Sequence, residues 1–97
     1  MEATAAKIEN LLRSHFSPVH LQIVDESVFH EGHAGAAAGG GHFQVLLVSG
    51  SFRGKSVVER HRAIYETLGE LMKQEIHALT LRTLTPEEWE KDRRSKG

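Results

Sequence analysis

Seven histidines and no cysteine among 97 residues make imidazole the main candidate for chemistry in this chain. Neutral imidazole is a common metal ligand, and it also titrates close to physiological pH. Three of the histidines lie in or beside a stretch rich in glycine and alanine, namely His30, His33 and His42. A fourth, His77, lies at the start of the last apolar run. These residues point to a metal or cluster site. Acid–base catalysis is weaker, because the pattern offers the imidazoles no obvious partner.

Three apolar stretches predict the strands that would position these histidines. Residues 19–23 alternate between apolar and polar, residues 42–48 are apolar on both faces, and residues 76–83 follow a helical stretch. Strands one and two, joined by a long loop, should be antiparallel, and a helical crossover should make strand three parallel to strand two. The starts of strands two and three then share one edge of the sheet. We therefore expect the four histidines to gather there.

Capping signals predict the helices. Thr4 is positioned to cap the first helix, Ser56 begins a capping box before a second helix that continues through Met72, and Thr85 begins another before a short helix with Trp89. We expect the second helix to bury a wide stripe made of Val57, Val58, His61, Ile64, Tyr65, Leu68, Leu71 and Met72. The order helix–strand–strand–helix–strand–helix predicts a small α+β domain with a three-stranded mixed sheet. It would be a single domain over residues 1–97, with a core at 4–90 and a frayed charged tail at 91–97.

Composition narrows the functional classes. A hydrophobic content of 39% and a charged content of 26% are ordinary for a folded domain. The net charge of −1 gives no global attraction to nucleic acid or to anionic membranes. The absence of cysteine excludes disulfides, thiolate ligands and a thiol nucleophile. With no long apolar run and no targeting pattern, we expect no membrane contact and a cytoplasmic protein, or an organellar one if a presequence has been removed.

A basic cluster supports a second hypothesis, nucleic-acid binding. Phosphate neutralisation by such side chains supplies most non-specific affinity. The cluster surrounds the turn before the second helix and consists of Arg53, Lys55, Arg60 and Arg62. The simpler explanation is i,i+4 pairing with glutamates of the same helix, Glu59, Glu66 and Glu70. The spacing of Gly50 and Gly54 does not match the GXXG loop with which KH domains hold a nucleic-acid backbone.

Enzymatic activity is the least favoured class. Neither Ser27 nor Ser49 belongs to a visible triad. The run Gly54-Lys55-Ser56 looks like the end of a phosphate loop, but its upstream glycine is one position too close. We therefore predict a protein without catalytic activity.

Several short segments along the chain match one known family in order and spacing. They are Val24-Asp25-Glu26-Ser27, His42-Phe43-Gln44-Val45, Val48-Ser49, Phe52-Arg53-Gly54, Arg60-His61-Arg62-Ala63-Ile64-Tyr65, His77-Ala78-Leu79 and Thr85-Pro86-Glu87-Glu88-Trp89. Together they resemble the BolA family, from the first helix through Trp89. The resemblance implies a fold similar to a class II KH domain, which agrees with the predicted order of elements.

The resemblance also implies a function. BolA-like proteins pair with monothiol glutaredoxins and can share a [2Fe-2S] cluster with them, to which the glutaredoxin and glutathione contribute thiolates. The position that matches the family's strand ligand is His77, and the loop position is His30, which makes this a histidine-type member. His33 stays open as an alternative loop ligand. The isolated protein is expected to be a monomer without a cofactor. Some members are described as DNA-binding regulators of morphology and stress response, and this remains the alternative.

Overall fold

A computed structural model describes residues 3–26 and 41–96 of the chain, and these form a small α+β domain. The helices and strands follow the predicted order, with one additional short helix before the last strand. Their bounds are α1 (Thr4–Phe16), β1 (His20–Asp25), β2 (Gly41–Val48), α2 (Val57–Leu68), α3 (Glu70–Gln74), β3 (Ile76–Leu84) and α4 (Pro86–Lys96), with a 3-10 turn at Gly50–Phe52.

The sheet has the order β1-β2-β3, so the apolar strand β2 is central, as predicted. Strand β1 is antiparallel to β2, and β3 is parallel to β2. Alternate residues of β2 are buried and join the core, namely Phe43, Val45 and Leu47. The intervening residue Gln44 lies on the opposite face with its register partners Val24 and Thr80, and all three are exposed.

The core lies between the sheet and the helices α1 and α2. Its members from α1 include Ile8 and Leu12, and those from α2 are Ile64 and Leu68. The 3-10 turn adds Phe52, which has no exposed surface and whose ring centroid lies 5.3 Å from that of Phe16. Full burial of one large apolar side chain contributes about 2 to 3 kcal/mol. This turn therefore anchors the end of β2 to α1.

The prediction of one continuous helix through Met72 was wrong. The chain breaks at Gly69, where φ is 45° and ψ is −113°, and α3 begins at the next residue. Side chains other than glycine rarely adopt this conformation. The break lets the chain turn from α2 toward the start of β3.

The predicted apolar stripe of α2 was too wide. Val57 and Val58 are 56% and 58% exposed, and Tyr65 is 42% exposed. The helix contacts the core through a narrow stripe with a spacing of four residues, Arg60, Ile64 and Leu68. Val19 was also placed on a buried face by its alternation with its neighbours, but it precedes β1 and is 65% exposed.

Two predictions at the ends of the chain were also wrong. Thr4 does not cap α1, because Ala3 occupies the N-cap position and the Thr4 hydroxyl donates instead to Glu75 at 2.8 Å. Residues 91–96 are not a frayed tail, since α4 continues to Lys96. Two contacts hold this half of α4. Asp92 forms an ion pair of 3.0 Å with Arg82, and the guanidinium of Arg93 lies 5.5 Å from the ring centroid of Trp89.

Candidate functional site

His42 and His77 meet at the edge of the sheet where β2 and β3 begin, which confirms the placement expected from topology. Gly41 pairs with Ile76, but His42 pairs with Ala78, so the register shifts by one residue between them. His77 is the extra residue of this irregularity. Such bulges redirect side chains locally. The two imidazole rings are stacked, with centroids 5.1 Å apart and planes inclined by 23°.

The backbone around these residues is held by short hydrogen bonds. The amide of Glu26 donates to the carbonyl of His42 at 2.7 Å, and the amide of Gly41 donates to the carbonyl of Glu75 at 2.9 Å. The Gln44 amide group donates to the Glu26 carboxylate at 2.6 Å. We call this region the histidine edge; it consists of Glu26, Gly41, His42, Gln44, Glu75 and His77. His77 is exposed and His42 is half-buried.

The two remaining candidate ligands, His30 and His33, lie outside the described residues. The chain enters residues 27–40 from Glu26 and leaves them at Gly41. Both flanking residues belong to the histidine edge. The predicted link between this segment and His77 therefore rests on the positions of its two flanks.

The donors at the histidine edge do not form a closed metal site. Within residues 3–26 and 41–96, no three histidine, aspartate or glutamate side chains are grouped so that they could hold a metal ion. The ligating lone pairs of imidazole lie in the ring plane, and the nearly parallel rings of His42 and His77 do not direct theirs to one point. A structural zinc site uses about four protein ligands. The described donors of the histidine edge therefore do not form a site of this kind.

The basic cluster is located at the other end of β3, where two of its members, Arg53 and Arg60, contact α4. Arg53 donates through Nε and Nη2 to both carboxylate oxygens of Glu87, at 2.8 and 2.5 Å. The Glu87 carboxylate raises the pKa of Arg53, and the Arg53 guanidinium lowers the pKa of Glu87. Both side chains are more than half exposed.

Arg60 differs from Arg53 because it is buried, with 6% of its surface exposed. Its guanidinium donates to both Glu88 oxygens, at 2.7 and 3.2 Å, and to the carbonyls of Lys55 and Thr83. The hydrogen bonds from Arg60 and from the backbone of Thr85 lower the pKa of Glu88 to about 2. We call this group the Arg60 network; it consists of Arg60, Lys55, Thr83, Thr85 and Glu88.

The simple i,i+4 explanation of the basic cluster was therefore wrong for its two arginines with described partners, since both pair with α4. A sequence signal for the burial of Arg60 exists. Arg60 lies four residues before Ile64 and eight before Leu68, on the same helical face. The other two members, Lys55 and Arg62, are exposed. The hydrogen bonds between Glu59 and Ser56 are the largest cause of the lowered pKa of Glu59, and the charges of Lys55 and Arg62 lower it further.

Trp89 packs α4 against the sheet, as expected. Its ring stacks on His20, the first residue of β1, with centroids 4.8 Å apart and planes inclined by 16°. His20 had no role in the sequence interpretation, and no local pattern pairs it with a residue 69 positions away.

In the described part of the chain, no helix is both long and apolar enough to cross a membrane.

Comparison with known proteins defines the class. The family model described as BolA-like protein matches residues 12–88. The chain is 48% identical over 84 residues to the DNA-binding transcriptional regulator BolA of Escherichia coli, covering 87% of this chain and 77% of that protein. It is 39% identical over 87 residues to SufE-like protein 1 of Arabidopsis thaliana, of which it covers 24%. That likeness is therefore confined to one part of the plant protein.

A solved structure agrees. BolA1 from Arabidopsis thaliana is 37% identical to this chain, with a TM-score of 0.79 over 91% of this chain and 97% of that one. The fold and the sequence thus define a small α+β domain of the BolA type. The chain belongs to the BolA-like family. The further likeness to a class II KH domain stays a prediction.

Proposed function

We propose that the chain is a non-catalytic adaptor that pairs with a monothiol glutaredoxin and shares a [2Fe-2S] cluster with it. The observation that carries the proposal is the exposed His77 at the histidine edge, beside both flanks of the segment that contains His30. His77 is the strand ligand in this proposal, and His30 is the loop ligand. His33 is the alternative loop ligand.

The chemistry of the donors supports a shared cluster. This chain has no cysteine, so it offers imidazole only, and the thiolates would come from the glutaredoxin and from glutathione. Imidazole suits iron as well as zinc, and an incomplete donor set leaves positions for a partner. Replacement of thiolates by imidazoles on one iron raises the reduction potential of a [2Fe-2S] centre. A mixed cluster of this type suits iron–sulfur trafficking or the sensing of iron status.

His42 has a positioning role in this proposal. Its ring stacks on that of His77, with the ring centroids 5.1 Å apart. The side chain of a ligand must be oriented before its partner docks, and outer contacts commonly supply that orientation. We expect His42→Ala to weaken cluster retention without abolishing it.

The test combines the protein with a monothiol glutaredoxin, glutathione, iron and sulfide, and records visible absorption and circular dichroism. We expect a heterodimer spectrum that His77→Ala abolishes, and either His30→Ala or His33→Ala should also abolish it and so identify the loop ligand. His15→Ala is the matched control, since His15 is an exposed histidine on α1 whose Nδ1 lies 3.0 Å from the Leu11 carbonyl. A spectrum identical to that of the glutaredoxin alone would overturn the proposal.

A second candidate function is DNA binding in transcriptional regulation. It is favoured by the identity of 48% to a protein named as a DNA-binding transcriptional regulator, and by three exposed basic side chains, Arg53, Lys55 and Arg62. Arg60 is buried, so in this proposal it supports the surface from below and does not contact phosphate. The test is the salt dependence of duplex DNA binding, which Arg62→Ala should make shallower by about one unit of slope.

A further inference from the structure

We propose that Glu87 competes with DNA for Arg53. In the free protein the Glu87 carboxylate binds the Arg53 guanidinium, and on DNA binding the phosphate backbone of the duplex displaces that carboxylate. The inference rests on the second proposed function and names a regulatory feature of the same surface. It requires that Arg53 contacts phosphate, that Glu87 blocks this contact, and that the two side chains can separate while α4 stays in place.

The geometry of the pair is that of phosphate recognition. Arg53 uses Nε and Nη2 together, as a fork, on the two oxygens of Glu87. Arginine binds a phosphate with the same pair of parallel donors. The carboxylate therefore occupies the donors that a phosphate would need, and binding must exchange one anion for the other.

The exchange requires only side-chain rotation. The side chains of Arg53 and Glu87 are 58% and 65% exposed, and exposed ion pairs are weak and screened by salt. The next residue, Glu88, is held by the buried Arg60. Helix α4 is thus anchored next to the pair that opens.

Gly50 supplies the space in which Arg53 reaches Glu87. A Cβ atom built at this position would lie 2.8 Å from Nη1 of Arg53, which is too close for the guanidinium to remain there. The obstructing atom is the end of a flexible side chain, and Gly50 does not adopt a positive φ. Gly50→Ala should therefore displace Arg53 from Glu87 without a change in formal charge.

Arg53 belongs to a surface on which Lys55 and Arg62 are also exposed. In the free protein the Glu87 carboxylate pairs with Arg53, so the charge of this surface is partly neutralised. Release of Arg53 adds one cation to it, and each phosphate neutralised steepens the salt dependence of binding by about 0.9.

The test measures fluorescence anisotropy of a short labelled DNA duplex of mixed sequence with the wild type and its variants at several salt concentrations. We expect Glu87→Gln to bind about threefold more tightly, with a salt slope steeper by about one. Glu90→Gln is the control for charge. Glu90 is an exposed glutamate on the same helix that pairs with Arg94 at 3.4 Å, so its loss changes the net charge equally but frees a different arginine.

Two further variants separate the pair from general electrostatics. Gly50→Ala should reproduce the gain of Glu87→Gln, and Arg53→Ala combined with Glu87→Gln should remove it. Thermal unfolding by circular dichroism checks that each variant is folded.

The outcomes separate the inference from DNA binding itself. If the wild type binds and both Glu87→Gln and Gly50→Ala leave affinity and salt slope unchanged, the competitor role is wrong and DNA binding stands. An equal gain in Glu90→Gln would also overturn the inference. If neither the wild type nor Glu87→Gln binds DNA, the inference and the second function both fail, while the cluster proposal is untouched. Binding by Glu87→Gln alone would show that duplex DNA does not displace Glu87 from Arg53, and would overturn the inference.

Discussion

The two ends of the parallel pair β2–β3 are built from different interactions. Where the strands end, the Arg60 network and the buried Ser49 hydroxyl join α1, α2, β3 and α4. Where they begin, at the histidine edge, the exposed His77 stacks on the half-buried His42. The start of β3 is held by other contacts, since Thr4 and Lys7 bind the Glu75 carboxylate and Ile76 is buried. The His77 imidazole takes no part in those contacts and is exposed, so we expect it to contribute little to the stability of the fold.

The largest effect on stability is expected when the Glu88 carboxylate, which pairs with Arg60, loses its charge. Glu88→Gln should lower the free energy of unfolding by about 2 kcal/mol, because it leaves a buried guanidinium without its counter-ion. Glutamine keeps an acceptor for the Thr85 amide, so the capping box is retained. Urea unfolding monitored by circular dichroism measures the loss. Glu87→Gln, one residue earlier, is the matched control and should cost much less because its partner is exposed.

Acid titration tests the same ion pair by a second route. The pKa of Glu88 is about 2 in the folded protein, against 4.5 for an ordinary glutamate. Because the unfolded chain takes up the proton first, the stabilisation is complete above about pH 4.5 and is lost as the pH falls toward 2. The difference in unfolding free energy between the wild type and Glu88→Gln should shrink over this range. A constant difference would contradict the assignment.

A smaller effect is expected at Ser49. Its buried hydroxyl donates to the carbonyl of Phe16 at 2.5 Å and accepts from the amide of Ser51 at 3.1 Å, which links the end of α1 to the 3-10 turn. Ser49→Ala should cost about 1.5 kcal/mol, because the Phe16 carbonyl loses a buried hydrogen-bond donor and the Ser51 amide loses a partly buried acceptor. Chemical denaturation provides the measurement. Ser51→Ala is the control, since its hydroxyl lies at the limiting distance of 3.5 Å from the same carbonyl.

The smallest effect on stability is expected at the histidine edge. His77→Ala should change the free energy of unfolding by less than about 0.5 kcal/mol, because the side chain is exposed. The same variant should abolish the heterodimer spectrum. Denaturant unfolding and reconstitution on one preparation would test both statements. A loss of stability comparable to that of Glu88→Gln would show that His77 is structural and would remove the contrast between the two ends.

Much of the fold was predictable because its signals are local. The capping boxes at Ser56 and Thr85 form as expected, and each depends on residues three positions apart. The long loop between β1 and β2 and the helical crossover to β3 predicted the strand directions, which placed His42 and His77 at one edge. The boundary of α2 at Gly69 was missed because its apolar pattern continues past the break.

The sequence by itself determined the strand order and the shared edge of His42 and His77, since periodicity, caps and the helical crossover follow from the order of residues along the chain. The family resemblance came instead from short segments that match in order and spacing. Only the tertiary structure decided which charges are paired. Arg53 and Arg60 find Glu87 and Glu88 at separations of 34 and 28 residues. No local rule selects such partners, because the choice depends on where α4 docks against α2 and β3. The same docking buries one arginine and leaves the other exposed.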